Sequence, residues 1–167
     1  IKTFPIPFTL KEIRENINIT PNTHTKTSKE EIINQAFNFH SQGNILEAAK
    51  YYENFINQKF KDHRAYSNYG SILKTLGKLK EAESSQRKAI EIKPDFANGH
   101  YNLGNILKDA GKLREAEISY RRAIEIKPDF AIAHYNLGGI LIDLGKLAEA
   151  EKSIKKAITI NPDYANA

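Results

Sequence analysis

The chain repeats itself every 34 residues, and that period excludes most folds at once. Within 97–130 and 131–164, GHYNLGNILKDAGKLREAEISYRRAIEIKPDF pairs without a gap with AHYNLGGILIDLGKLAEAEKSIKKAITINPDY. One step back gives 63–96 (RAYSNYGSILKTLGKLKEAESSQRKAIEIKPDF), another gives a divergent unit, 29–62, and one step forward leaves only 165–167. A fixed period of this length marks a repeat array, in which each unit buries its apolar face against its neighbours. In the unit 97–130, Leu103, Ile106, Leu107 and Ala110 recur at helical spacing. Gly111 interrupts, and Leu113, Ala116, Ile118, Tyr120, Ala123, Ile124 and Ile126 follow until Pro128. Each unit therefore reads as two antiparallel helices, and the fold class as all-α.

The punctuation is regular. Gly43, Gly77, Gly111 and Gly145 fall at the break between the two helices, where a left-handed residue closes the first. Ala36, Gly70, Gly104 and Gly138 in the first helix face Ala48, Ala82, Ala116 and Ala150 in the second, so a bulkier side chain there would push the pair apart.

These residues carry a resemblance to the tetratricopeptide repeat. That family places a small residue at the eighth position, glycine at the fifteenth, alanine at the twentieth and twenty-seventh, and proline at the thirty-second. Ala89, Ala123 and Ala157 with Pro94, Pro128 and Pro162 complete the pattern in the last three units. The first unit departs from it, with Phe55 for the second alanine and Phe60 for the proline, and Gln86 stands where other units have Tyr52, Tyr120 and Ile154. The resemblance implies a right-handed superhelical solenoid, first helices lining a concave groove and second helices forming the back.

The groove then becomes the candidate site, and its expected occupant is a protein or an extended peptide. Asn34, Asn68, Asn102 and Asn136 occupy one position of successive units and form a ladder. An amide both donates and accepts, so such a row suits a peptide backbone without demanding a side chain; the competing reading is a solvated helix face. The ladder is similar to that of the O-linked N-acetylglucosamine transferase repeats, where asparagines at this position contact polypeptide. Arg64, Ser67, Ser71, Lys74, Asn98, Tyr101, Asn105, Lys108 and Tyr135 are neighbouring candidates, with Tyr101 and Tyr135 as aromatic anchors. The carboxylate clamp of chaperone-binding repeats is not matched: its lysine and asparagine positions hold Ile33 with Phe37, Ser67 with Ser71, and Tyr101 with Asn105.

Residues 1–28 differ in kind. Phe4, Pro5, Ile6, Pro7 and Phe8 form a stiff apolar stretch, LKEIRENI reads as a short helix, and TPNTHTKTS as a linker ending in a Ser28–Glu31 capping box. This segment is expected to be a loose or capping tail, or else a ligand-like peptide for this groove or a neighbour's. At the other end, the second helix of 131–164 lacks a following helix, which fits either a longer natural chain or packing on another molecule. Both ends are candidate surfaces for a homo-oligomer.

Other chemistries find little support. Without cysteine there are no disulfides or thiolate ligands. His100 and His134 are equivalent residues of adjacent units, about 10 Å apart by helix packing, too far to share a metal. GILIDLGK at 139–146 mimics a phosphate loop, but lacks the following Ser or Thr and lies on a helix. Glu115, Glu117 and Asp109 read as solvated helix surface with no pocket to raise a pKa. No apolar run reaches the roughly 20 residues of a membrane helix, so the expectation is a cytoplasmic, non-enzymatic chain without cofactors or metals. The net charge of +5 brings up nucleic acid, through Lys80, Arg87, Lys88, Arg114, Arg121, Arg122, Lys152, Lys155 and Lys156. Glu81, Glu83, Glu117, Glu149 and Glu151 break that field, and no aromatic residues interleave with it. Two readings remain: an interaction scaffold, or the substrate-targeting arm of a larger modifying enzyme such as a glycosyltransferase.

Overall fold

The structure, a computed structural model, describes residues 28–166. The expectations for Phe4–Phe8 and LKEIRENI lie outside the described residues. Among the described residues eight α-helices form four pairs: α1 (Lys29–Ser41) and α2 (Ile45–Asn57), α3 (His63–Thr75) and α4 (Leu79–Ile92), α5 (Ala97–Asp109) and α6 (Leu113–Ile126), α7 (Ala131–Asp143) and α8 (Leu147–Ile160). A short 3₁₀ helix, Pro162–Asn166, packs on α8. Each second helix packs on the first helix of the next unit, and α3 also touches α5 directly. The result is an all-α helical repeat solenoid with a layer of first helices and a layer of second helices.

Every pair is joined by the same device. Gly43, Gly77, Gly111 and Gly145 have φ of 73–74°. At Gly111, the glycine N–H bonds Lys108 O (2.9 Å) and Lys112 N–H bonds Leu107 O (2.8 Å), the two-bond closure of a Schellman motif. The residue that completes it is also the N-cap of the following helix, which fixes the hairpin angle in every unit. Second helices stop before a proline: Lys93 and Lys127 turn extended (ψ 90° and 89°), as the pyrrolidine ring requires of its predecessor. The freed carbonyls of Pro94 and Pro128 are taken by His100 Nε2 (2.9 Å) and His134 Nε2 (3.0 Å), which gives these histidines a structural task.

The first unit ends by another route. It has no proline, and Lys59 adopts the left-handed conformation (φ 60°). Its N–H bonds Ile56 O (2.8 Å), Phe60 N–H bonds Phe55 O (3.3 Å), and the two phenyl rings pack at 5.3 Å. This is again a Schellman closure, complete with its hydrophobic contact, but with lysine where glycine is favoured. Lys59→Gly is therefore expected to raise the unfolding free energy by about 0.5–1 kcal/mol, since it removes Cβ strain from an exposed residue. A lower urea midpoint for Lys59→Gly would show that the lysine side chain contributes more than its backbone costs.

The core is a stack of interlocking clusters. Ile32, Ala36, Ala48, Tyr52 and Phe55 fill the first unit, and Leu103, Leu107, Ala116, Tyr120, Leu137, Ile140, Leu141 and Ala150 run through the third and fourth. The small-residue pairs make this possible. A Cβ on Gly104 would lie 2.6 Å from the Tyr120 ring, and one on Gly138 would lie 2.5 Å from Ile154. Between these blocks the second unit is more polar. Gln86 is fully buried; its Nε2 donates to Gly99 O (3.0 Å) while its Oε1 has no partner among the described residues. Ser67 and Ser85 are buried beside this stretch of the fold.

Candidate functional site

The first-helix layer brings the asparagines into register, but not as free amides. Asn68 Nδ2 donates to Tyr52 OH (2.9 Å), Asn102 Nδ2 to Ser67 Oγ (3.2 Å), and Asn136 Nδ2 to Tyr101 OH and Asn105 Oδ1 (both 3.2 Å). Each bond reaches back to the preceding unit, so the side chains are oriented by the array itself. Their donors face inward, and no described residue donates to the three Oδ1 atoms. Asn34, at the head of the row, is exposed and has no such tether among the described residues.

The remaining candidates divide by what already holds them. Tyr101 is half-buried, its ring 5.2 Å from Phe130 and 6.0 Å from Tyr120, and Tyr135 stacks on Tyr164 at 5.1 Å. Both are braced walls with one face committed. Asn105 accepts from Tyr120 OH (2.8 Å), and Ser71 Oγ donates to Ser67 O (3.1 Å). Lys74 pairs with Asp109 of the next unit (2.9 Å). Arg64 binds the Asp62 carboxylate that caps α3 and lies 5.1 Å from the Phe37 ring. Asn98 and Lys108 are exposed and without such partners among the described residues.

The second-helix layer shows an arrangement that the sequence reading missed. Lys112 pairs with Glu83 (2.9 Å), Glu83 with Arg87 (2.8 Å), and Arg87 with Glu115 (3.0 Å), a chain of alternating charge across the junction of the second and third units. Lys146, Glu117, Arg121 and Glu149 repeat it one unit on. Thirty-four-residue spacing of all four charges was the available signal. The expectation that Glu117 is solvated surface is corrected: it is 8% exposed, because two cations from different units close over it. Among the basic residues named for nucleic acid, Arg87, Lys88, Arg121, Arg122 and Lys155 are in ion pairs with glutamates.

These pairs set a pH dependence. The hydrogen bond from Lys112, and then Arg87, holds the Glu83 carboxyl below the usual range against the opposing effect of burial; Lys146, and then Arg121, do the same for Glu117. A depressed native pKa adds stability that is present above the unfolded value of about 4.3 and is lost as pH falls through the lower native one. The stabilisation from these pairs is expected to stay level from about pH 7 to 5 and to be lost below about pH 4, while burial of His63, which lowers its pKa, makes the melting temperature begin to fall already below about pH 6.5. A Glu83→Gln, Glu117→Gln double variant should show a shallower acid fall in a thermal scan, and equal slopes would remove these carboxylates from the explanation.

Among the described residues no three His, Cys, Asp or Glu gather to hold a metal ion, and no helix is long and apolar enough to cross a membrane. The sequence matches the tetratricopeptide repeat family over residues 101–165 and again over 63–96. No curated protein matches it. The crystal structure of MamA superposes with a TM-score of 0.79 at 23% identity, covering 86% of this chain and 84% of that one. YrrB, a tetratricopeptide repeat protein with an unusual peptide-binding site, gives 0.75 at 22%, covering 83% and 72%. A Thermobaculum terrenum O-GlcNAc transferase gives 0.62 at 25%, covering 68% of this chain and 22% of the enzyme. With the period, the glycine closures, the small-residue pairs and the family match in agreement, the chain belongs to the tetratricopeptide repeat family.

Proposed function

We propose that this interaction scaffold holds an extended segment of a partner protein in the groove lined by its first helices. The asparagine ladder carries the reading. With Nδ2 of Asn68, Asn102 and Asn136 drawn inward, three Oδ1 acceptors remain for backbone N–H groups of a bound chain. Units about 10 Å apart meet an extended peptide rising about 3.3 Å per residue, so each rung takes roughly every third residue. Such contacts read backbone, and selectivity falls to Asn98, Lys108 and the braced rings of Tyr101 and Tyr135. That YrrB, of the same fold, has a peptide-binding site supports a peptide as the class of ligand.

The test compares the native array with the triple variant Asn68→Ala, Asn102→Ala, Asn136→Ala, after circular dichroism confirms helicity and melting temperature. Three lost hydrogen bonds at about 1 kcal/mol each predict an affinity loss on the order of 100-fold for the captured polypeptide. Equal capture by the two proteins would move the binding surface elsewhere.

A second reading rests on the likeness to the O-GlcNAc transferase, of which this chain spans 22%. On this reading the array would be an arm that presents substrate to a catalytic domain of the same protein. The full-length gene separates the two: a catalytic domain after Ala167 makes it an arm, and a nearby stop codon a free-standing adaptor.

A further inference from the structure

Each junction between units leaves a groove on the second-helix side, and the first of these is unlike the others. At the two later junctions the grooves measure about 640 and 430 Å³, are lined by His100 with Leu103 and by His134 with Leu137, and carry the alternating ion chains. At the junction of the first and second units the groove measures about 740 Å³, and the histidine and leucine positions hold Tyr66 and Tyr69. The ion chain fails there. Ala49 and Glu53 stand 34 residues before Glu83 and Arg87, so the place of the arginine is taken by a carboxylate. Glu81, the counterpart of Glu115 and Glu149, consequently lacks a guanidinium. Glu53 and Glu81 are both exposed, both line the groove, and neither is in an ion pair among the described residues.

We propose that this groove takes an arginine side chain of a partner polypeptide, its guanidinium bridging Glu53 and Glu81 beside Tyr69. The array supplies the template. Arg87 spans Glu83 and Glu115 at 2.8 and 3.0 Å, and Arg121 spans Glu117 and Glu149 at 2.9 and 2.6 Å, each with a guanidinium fixed between two carboxylates of successive units. At the first junction the outer carboxylate is kept and the internal arginine is missing. Planar, delocalised guanidinium suits this place better than ammonium, since it forks to two acceptors and lies against aromatic rings. Tyr69 reports the shared field: burial raises its phenol pKa, and Glu53 and Glu81 raise it further.

The other charges at the groove are accounted for. Lys88 pairs with Glu91, and Arg87 is engaged by Glu83 and Glu115. Lys78, the counterpart of Lys112 and Lys146, has Ala49 in place of their glutamate partner and is exposed at the rim. With Lys88 and Arg87 neutralised in those pairs, Glu53 and Glu81 outnumber Lys78 by one charge.

The probe is acetyl-leucyl-arginyl-leucine amide, titrated into the full chain and followed by backbone amide shifts in a heteronuclear NMR spectrum. Saturable shifts confined to the facing turns of α2, α3 and α4 are expected. The citrulline peptide, neutral but of the same shape, should bind at least about 10-fold more weakly, a cost of about 1.4 kcal/mol. Glu53→Arg installs the residue that the other junctions carry; it should abolish the shifts while keeping or raising the melting temperature. Glu53→Gln, which adds no cation, should weaken binding as well. The proposal is overturned by shifts that are absent or scattered, by a citrulline peptide that binds equally, or by a Glu53→Arg protein that binds undiminished. No ladder asparagine lines this groove, so the triple asparagine variant should retain the interaction, and its result bears on the first-helix reading alone.

Discussion

Tyr120→Ala is expected to cost about 3–5 kcal/mol of unfolding free energy, the range for deleting a fully buried large side chain. The tyrosine is 0% exposed at the centre of the apolar block shared by the third and fourth units. Its ring fills the space that Gly104 leaves open, and its hydroxyl donates to Asn105, which in turn accepts from Asn136. Truncation therefore opens a cavity and slackens a rung of the ladder together. Tyr120→Phe separates the two, keeping the ring and losing about 1 kcal/mol for the hydrogen bond. Urea unfolding followed by circular dichroism reads both. A Tyr120→Ala loss no larger than that of Tyr120→Phe would mean that the ring is not the keystone of this block.

Ala116→Leu is expected to cost about 1–3 kcal/mol for the opposite reason, overpacking. Ala116 is 0% exposed, and its helix meets α5 at a glycine. The equivalent pairs show how close the backbones come: a Cβ on Gly70 would sit 3.2 Å from Ala82 O, and one on Gly138 would sit 3.5 Å from Ala150 O. Three added carbons have no room unless α5 and α6 separate, and separation also loosens Tyr120 from Gly104. The change should lower the urea midpoint without altering far-ultraviolet helicity at zero denaturant. An unchanged midpoint would show that the pair can part without loss.

The legible part of this fold was what repeats within one unit. Glycine at the break, alanine opposite glycine and proline after the second helix are local demands of backbone and volume, and each recurs in the sequence at the place where the chain needs it. What escaped the reading lies between units or lacks a residue signature. Asn102 is held by Ser67, and Asn136 by Tyr101, 35 positions away in each case, so the ladder's orientation depends on a register set by packing. Glu117 is buried because Lys146 arrives from the next unit, 29 positions on. Lys59 takes a left-handed turn that its side chain does not advertise; the two phenylalanines around it impose the turn by meeting each other.

The second unit's polar interior has a mechanical meaning. Gln86 puts a buried amide where other units carry Tyr52, Tyr120 and Ile154, and with Ser67 it leaves less hydrocarbon in this stretch, which Leu73, Ala82 and Ile106 still close, than in the apolar blocks on either side. In a stack of helices under load, this stretch is expected to yield before the larger apolar block of the third and fourth units.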